Sequence, residues 1–98
     1  MIITGGENVY LVEVENALMA HHDIRDVAVV GHQDPDLGQR VVAFVEPVRP
    51  AENESAWLKS VNMHLRTHLA GYKCPREIRL VERLPRTPTG KVMKRDLL

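Results

Sequence analysis

The chain has 98 residues, of which 44% are hydrophobic and 27% charged, and its basic and acidic side chains balance to a net charge of zero. This size and composition are typical of one ordered, soluble domain, and they exclude disordered and membrane-spanning classes. The start has no signal-peptide pattern, and the single cysteine, Cys74, cannot form an internal disulfide, so we expect a reducing, cytoplasmic location.

The first half of the chain predicts a short strand, a helix and two further strands. Ile2-Ile3 is a brief apolar run that ends at paired glycines, as a short strand does. Apolar residues at helical spacing follow, and with Asn8 as N-cap they predict a first helix. The expected buried stripe of this helix consists of Leu11, Val14, Leu18 and His21. The apolar run 27–31 is typical of a strand covered on both faces, and its short connection to a strand at 40–46 implies an antiparallel pair.

A second helix, a third main strand and a short last helix are predicted after these strands. Asn53 or Ser55 can cap the second helix, and Gly71 is expected to end it as the C′ residue. Residues 77–84 alternate as a strand does, and residues 92–98 are expected to be helical. This order predicts an α+β fold with a small antiparallel sheet, about three main strands plus a short N-terminal strand, flanked by helices.

A stiff loop near the C-terminus carries the most specific local chemistry, in Leu84-Pro85-Arg86-Thr87-Pro88-Thr89-Gly90-Lys91-Val92. Its two prolines fix backbone angles and remove amide donors, so neither a helix nor a central strand runs through it. Thr89-Gly90 predicts a turn, and Lys91 emerges directly after it. A cation on a stiff, exposed loop suits a phosphate or carboxylate oxygen, although a solvated lysine at the start of a helix explains the residue as well.

The charges are unevenly divided along the chain. Residues 1–70 carry five basic and ten acidic side chains, whereas residues 71–98 carry eight basic and three acidic ones. The basic C-terminal part predicts an anionic partner, and nucleic acid, a nucleotide and the protein's own acidic part all fit this charge. Aromatic residues are only 4% of the chain, which argues against a stacking RNA-binding sheet.

Other residues with possible chemistry have simpler explanations. His64 and His68 have metal-ligand spacing on the second helix, but no further ligand is near them in sequence, so we expect surface histidines and no metal site. Cys74 has no base beside it in the sequence and is interpreted as a spectator. Gly5-Gly6 indicates either a plain turn or a place where another group packs against bare backbone.

Two separated motifs occur in this chain in a definite order. The first is Ile2-Ile3-Thr4-Gly5-Gly6-Glu7-Asn8-Val9-Tyr10-Leu11-Val12-Glu13-Val14-Glu15, and the second runs from Gly71-Tyr72-Lys73-Cys74-Pro75 to Leu84-Pro85-Arg86-Thr87-Pro88-Thr89-Gly90-Lys91. Together with the intervening strands they resemble the C-terminal domain of AMP-forming acyl-CoA synthetases of the adenylate-forming superfamily. The resemblance covers essentially the whole chain, residues 1–98, as one domain.

The resemblance implies a two-step reaction that uses ATP, Mg²⁺ and coenzyme A in the full-length enzyme. A large N-terminal domain binds ATP and a small carboxylic acid, an acyl-adenylate forms, and a thiol then displaces AMP. Lys91 corresponds to the family's adenylation lysine, so it is expected to stabilise charge at the α-phosphate. The basic C-terminal part is then explained by nucleotide phosphates, and we expect no nucleic acid or membrane as partner.

The same resemblance assigns a second loop to the thiol step. After adenylation the small domain is expected to rotate, so that Gly5, Gly6, Glu7 and Asn8 line the channel for the pantetheine arm of coenzyme A. Further residues are expected near the nucleotide end of coenzyme A, namely Leu37, Tyr72, Lys73 and Arg76.

Some features depart from the family pattern. Leu11 stands where the family often has proline, and the family's hinge and substrate pocket would precede Met1. We therefore expect an excised or truncated domain that is inactive alone, binds no cofactor by itself and has the N-terminal adenylation domain as its partner. Two alternatives remain: a stand-alone interaction or regulatory module, and a domain of a ligase that acylates a carrier protein.

Overall fold

A computed structural model describes residues 1–97 of the chain. Seven regular elements follow one another, and two short 3-10 helices occur at Gly71–Lys73 and Lys94–Leu97. The elements are β1 (Ile2–Thr4), β2 (Glu7–Val9), α1 (Leu11–Met19), β3 (Ile24–Asp34), β4 (Gly38–Pro47), α2 (Glu54–His68) and β5 (Glu77–Leu80). The predicted α+β fold is confirmed.

The sheet is built on a long antiparallel hairpin of β3 and β4, which pair from Ile24 opposite Pro47 to Asp34 opposite Gly38. The strand β1 pairs antiparallel with β2 and, at one rung, with the start of β4. The strand β5 differs from the predicted antiparallel arrangement because it lies parallel to β4. The connection between them contains α2, and a helical crossover brings the chain back to the same end of the sheet.

Both faces of this hairpin are buried, as the apolar run in β3 predicts. Successive side chains point to opposite faces of a strand, so from residue 26 onward the odd-numbered residues of β3 and β4 lie on one face of the sheet and the even-numbered residues on the other. One face packs against α1 and α2, through residues that include Val29, Val41 and Leu65. The other face, with Val30 and Phe44, lies under the C-terminal segment that begins near Leu84. The segment that carries Lys91 is therefore held against the sheet.

The predicted N-cap is correct for α2 and wrong for α1. Asn53 caps α2 as predicted, because its side chain accepts a hydrogen bond from the Ala56 N–H at 3.1 Å. The predicted cap of α1 is wrong: Asn8 pairs with Ile3 in the β1–β2 hairpin, and Tyr10 stands at the N-cap without a side-chain bond. Two glycines between short apolar segments form a two-residue hairpin loop, and this loop places Asn8 in a strand.

Three predictions in the C-terminal part need correction. Gly71 does not end α2; the chain leaves the helix at Leu69 in an extended conformation, which keeps that side chain in the core. The third main strand ends at Leu80 rather than at residue 84. The predicted last helix over 92–98 is a 3-10 helix at Lys94–Leu97, and Leu98 lies outside the described residues.

Within residues 1–97, neither helix has the length and apolar character that crossing a bilayer requires. The longer of them, α2, has 15 residues and carries both exposed and buried positions.

Candidate functional site

The lysine hairpin, residues 86–92, is closed by its own backbone and begins and ends at a β-bridge. The Thr87 N–H donates to the Lys91 carbonyl at 2.8 Å, and the Gly90 N–H donates to the Thr87 carbonyl at 2.9 Å. Gly90 has a φ of 91°, which glycine adopts without strain, and Pro88 occupies the turn position that favours proline. The predicted turn is therefore a three-residue hairpin loop, and its shape does not depend on the lysine side chain.

The side chain of Lys91 is exposed at the end of this hairpin. Its own backbone N–H donates to Thr87 Oγ1 at 3.1 Å, so the main chain at this residue is fixed on both sides. Across residues 1–97, no carboxylate lies within ion-pair distance of the Lys91 ammonium, whereas nearby Lys94 pairs with Glu15 at 3.0 Å. The hairpin thus presents a positive charge that the described part of the chain leaves uncompensated.

The glycine turn, residues 4–7, is the two-residue loop between β1 and β2. Gly5 and Gly6 have φ values of 55° and 83°, and Thr4 pairs with Glu7 across them. Positive φ at both central residues defines the type I′ turn that suits the twist of a β-hairpin. The predicted turn is confirmed, and its backbone is accessible because all of Gly5, Gly6 and Glu7 are exposed.

Leu37 lies directly against the glycine turn. Its carbonyl accepts a hydrogen bond from the Gly5 N–H at 3.0 Å, and a Cβ at Gly5 would stand only 3.3 Å from Leu37 Cδ2. A Cβ at Gly6 would meet no atom of the described residues within 4 Å. Gly5 is therefore packed against the domain, whereas Gly6 faces open space.

Asp34 fixes Leu37 through a side-chain turn. Its Oδ1 accepts hydrogen bonds from the backbone N–H groups of Leu37 at 2.9 Å and Asp36 at 2.8 Å. These two bonds lower the pKa of Asp34 below its ordinary value, and the bond from Leu37 has the larger effect. The charges of Arg40 and Arg76 act in the same direction. The glycine turn, Leu37 and Arg76 are thus near the same end of the β3–β4 hairpin.

Tyr72 and Lys73 lie in the 3-10 helix after α2, beside the start of α1. The Lys73 ammonium pairs with Glu13 Oε1 at 2.8 Å and stands 5.7 Å from the centroid of the Tyr72 ring. The hydrogen bond that the Lys73 ammonium donates to Glu13 is the main reason why the pKa of Lys73 is raised above its ordinary value. Glu13 therefore engages one of the three N–H donors of the Lys73 ammonium.

The lysine hairpin and the glycine turn lie at opposite ends of the β3–β4 hairpin. Arg86 of the lysine hairpin forms an ion pair with Asp26 near the start of β3, whereas Leu37 follows the end of β3 at Asp34. Asp26 and Asp34 are eight positions apart on this strand, which corresponds to about 26 Å along an extended chain. A single bound molecule of small size does not contact both loops at once.

Four histidines gather where α1 ends against α2, and they do not form an obvious chelate. His64 Nε2 is hydrogen-bonded to the Ala17 carbonyl at 2.8 Å, and His68 Nδ1 lies 2.9 Å from the His64 carbonyl. Within residues 1–97, the donor atoms that cluster within 4.8 Å belong to His21, His22 and Asp23. Both ring nitrogens of His21 are already used: Nδ1 accepts from the Asp23 N–H at 3.1 Å, and Nε2 lies 3.2 Å from the Ser60 hydroxyl.

The buried His21 makes stability depend on pH. Burial, and then the charges of His64 and His22, lower the pKa of His21 below its ordinary value of 6.5, against an opposite effect of Asp23. The unfolded chain therefore takes up the proton first, and the stabilising contribution of neutral His21 is full above pH 6.5 and is lost as the pH falls towards the lowered value. We expect the melting temperature of the chain to decrease from pH 7.5 to pH 5 and to depend less on pH in His21→Gln.

The matched control is His68→Gln, which removes an exposed histidine from the same cluster. Thermal unfolding followed by circular dichroism at several pH values measures the effect. An identical pH dependence in His21→Gln and in the unchanged chain would show that His21 is not responsible.

Cys74 agrees with its interpretation as a spectator. Burial raises the pKa of its thiol above the ordinary value, against a smaller effect of Arg66, so the reactive thiolate is disfavoured.

Two acids of the sheet contact the C-terminal segment that carries the lysine hairpin. Glu46 accepts the Leu84 N–H at 2.8 Å, and Asp26 forms the ion pair with Arg86, so both carboxylates hold the lysine hairpin from the sheet. The apolar alternation in β3 and β4 assigns these acids to one face. Nothing local indicates that Glu46 contacts Leu84, 38 residues away, or that Asp26 contacts Arg86, 60 residues away.

The chain is similar to a known domain family and to several known proteins. The chain matches the AMP-binding enzyme C-terminal domain over residues 13–91. It is 46% identical over 90 residues to the medium/long-chain-fatty-acid–CoA/3-oxocholest-4-en-26-oate–CoA ligase of Mycolicibacterium smegmatis, a match that covers 92% of this chain and 16% of that ligase. The fold is also similar to Brucella canis acyl-CoA synthetase, with a TM-score of 0.89, 32% identity and coverage of 97% of this chain and 18% of that chain.

A third similar protein has a different reaction in its name. The amide bond synthetase of Marinactinospora thermotolerans has a TM-score of 0.85 and 36% identity, with coverage of 98% of this chain and 19% of that chain. The chain thus spans about a sixth to a fifth of the length of the proteins it matches. The two loops, the fold and these matches lead to one conclusion: the chain belongs to the family of AMP-binding enzyme C-terminal domains.

Proposed function

We propose that this chain is the mobile C-terminal domain of an ATP-dependent acyl-CoA ligase, and that it presents Lys91 for adenylation and the glycine turn for thioester formation. The observation that carries the proposal is the exposed ammonium of Lys91, which stands on a hairpin with a fixed backbone and has no acidic partner among residues 1–97. The relatives named as CoA ligases support the same function.

In the first step a carboxylate oxygen of the acid attacks the α-phosphorus of ATP. A new oxygen–phosphorus bond forms, the bond from that phosphorus to the β-phosphate oxygen breaks, and pyrophosphate leaves. Negative charge accumulates around the α-phosphate in the transition state, and the Lys91 ammonium stabilises it. Because the hairpin is already ordered, little reorganisation is needed when the charge develops.

The lysine hairpin fits a phosphate but does not fit a metal ion. Residues 84–92 contain no carboxylate, and Mg²⁺ prefers oxygen ligands of that kind. Any Mg²⁺ that accompanies ATP is therefore held by another part of the ligase, the N-terminal domain of the proposed enzyme.

In the second step the thiolate of coenzyme A attacks the acyl carbon, and AMP leaves with the electron pair of the broken acyl–oxygen bond. We assign the glycine turn to this step because Gly6 presents bare backbone to open space, where a thin pantetheine arm can pass. Glu7 and Asn8 follow on the same exposed edge, and Leu37 supports the turn from below.

The nucleotide end of coenzyme A is assigned to basic and aromatic residues of the same domain. Arg76 and Tyr72 are exposed, and the Arg76 backbone N–H donates to the Val41 carbonyl at 2.9 Å, close to the start of β4 that pairs with Thr4 of the glycine turn. Lys73 already pairs with Glu13, and a phosphate would share its ammonium with that carboxylate or replace it. Since the lysine hairpin lies at the other end of β3, a rotation of the whole domain exchanges the two loops at one active site.

The fold does not indicate which molecule accepts the acyl group in the second step. The amide bond synthetase has a similar domain, so the same scaffold accompanies an acceptor other than a thiol. Coenzyme A is favoured because the ligase with 46% identity is named for it. Assays of the full-length ligase with coenzyme A, with a phosphopantetheinyl carrier protein and with an amine separate these acceptors.

We expect the 98-residue chain by itself to release no pyrophosphate from ATP and a carboxylic acid, whereas the full-length ligase does so. The physical reason is that one lysine provides charge but no surface that binds both reactants. Acid-dependent pyrophosphate release, measured with the same fatty and aromatic acids for both proteins, checks this expectation. Turnover by the isolated chain would contradict this expectation. A full-length protein without adenylation activity would instead favour the stand-alone interaction or regulatory module.

A further inference from the structure

Two carboxylates occupy one rung of the sheet beneath the lysine hairpin. Asp26 on β3 is paired directly with Glu46 on β4, so both side chains point to the same face. This is the face that Ala28, Val30 and Phe44 make apolar further along, and the C-terminal segment covers it. Like charges directly opposite in a sheet repel each other, so this rung is stable only if both acids are compensated.

Glu46 is compensated by a fixed set of donors. Its side chain is only 8% exposed, and Arg25 donates to Oε1 from Nε at 3.1 Å and from Nη2 at 3.0 Å. The second oxygen accepts the backbone N–H of buried Leu84 at 2.8 Å. A buried carboxylate is costly unless it is paired and hydrogen-bonded, so this geometry resists displacement. The main chain at Leu84 is thereby tied to the sheet.

Asp26 ties the same segment two residues further along. It forms an ion pair with Arg86, and the other nitrogen of that guanidinium, Nη1, donates to the Gly90 carbonyl at 2.7 Å. Arg86 therefore connects the sheet to the tip of the lysine hairpin. The returning chain is fixed as well, because the Met93 N–H donates to the Pro85 carbonyl at 2.7 Å.

We propose that Glu46 is a positioning residue for Lys91, acting with Asp26 as a carboxylate clamp that sets where the lysine hairpin leaves the sheet. The clamp touches neither substrate nor reacting atoms. It determines the position of the Lys91 backbone, and hence the place that the ammonium reaches when the domain closes. This inference rests on the adenylation role proposed for Lys91.

The test compares Glu46→Gln with Glu52→Gln, an exposed acid outside the clamp, in the full-length ligase. Glutamine has nearly the shape of glutamate but removes the charge that holds Arg25. We expect Glu46→Gln to lower kcat for adenylation about 10- to 100-fold, the size of effect that misplacement of a catalytic group produces. KM for ATP and the rate of thioester formation from supplied acyl-adenylate should stay within about twofold of the unchanged ligase.

A double-mutant cycle distinguishes positioning from general damage. If Glu46 acts through Lys91, Glu46→Gln should cause no further loss of adenylation in a Lys91→Ala background. Equal losses in both half-reactions, or no difference from Glu52→Gln, would overturn the clamp while leaving the role of Lys91 intact. If Lys91→Ala itself leaves adenylation unchanged, the adenylation role proposed for Lys91 is contradicted, and the clamp has no lysine to position.

A second variant keeps the inference testable if Glu46→Gln unfolds the domain. Asp26→Asn releases only Arg86, and the Asp26 side chain is 30% exposed, so this change is less disruptive to the core. The same selective loss of adenylation is expected. Unchanged adenylation in a folded Asp26→Asn ligase, together with an unfolded Glu46→Gln ligase, would show that the pair serves stability alone.

Discussion

Lys91→Ala in the full-length ligase is expected to slow acyl-adenylate formation by roughly 100- to 1000-fold, since loss of one well-placed contact to developing charge typically costs about 3–4 kcal/mol. The hairpin should keep its shape, because its closing bonds run between backbone atoms of Thr87, Gly90 and Lys91 and the Thr87 hydroxyl. The loss should therefore appear in kcat, with the KM for ATP little changed.

Formation of the thioester from supplied acyl-adenylate should remain close to normal in the same variant. In the mechanism we propose, the glycine turn and not the lysine hairpin lies at the active site in that step. Asp26, which holds the hairpin, and Asp34, which fixes Leu37 against the glycine turn, are eight positions apart on β3, about 26 Å along an extended strand. Pyrophosphate exchange measures the first half-reaction, and consumption of purified acyl-adenylate by coenzyme A measures the second. Lys59→Ala, an exposed lysine on α2, is the control for the loss of one positive charge. Equal damage to both half-reactions would contradict the role of Lys91.

The local parts of this fold were predictable because short-range chemistry determines them. Asn53 is a strong N-cap before a helical pattern, and the structure has the cap. Pro88 and Gly90 specify a turn whatever the remainder of the chain does, and Lys91 follows from their positions. The long-range parts were harder, as the direction of β5 illustrates: its orientation follows from the crossover through α2 and not from its own residues.

The same distinction holds for the candidate site. The two loops were identified from their own residues, but the side chains that hold them come from distant positions. Leu37 supports Gly5, and Glu46 holds Leu84 across 38 residues of sequence. Lys73 was assigned to coenzyme A by resemblance, and only the fold reveals that its ammonium is occupied by Glu13, 60 residues away. Sequence patterns thus predicted which side chains the two loops carry. Tertiary packing determines which of those side chains already have a partner within the domain.

Gly6→Leu should have its main effect on the thiol step. At a φ of 83° any residue with a Cβ is strained by about 1–2 kcal/mol, which lowers the melting temperature of a domain of this size by roughly 5–15 °C. No described atom lies within 4 Å of the new Cβ, so the side chain extends outward without displacing the core. There it would fill the space assigned to the pantetheine arm.

Gly6→Ala is the matched control for this variant, because alanine introduces the same backbone strain with far less bulk. Both variants should therefore melt at similar temperatures, whereas the rate of thioester formation should fall with side-chain size, by about 10- to 100-fold for leucine. Adenylation should change by less than about twofold in either variant, since in the proposed mechanism the lysine hairpin acts in that step and the glycine turn does not.

Equal losses in the alanine and leucine variants would assign the effect to strain, and a selective loss of adenylation would place the glycine turn in the other half-reaction. Only a size-dependent loss confined to the thiol step agrees with a channel that passes over the bare backbone of Gly6.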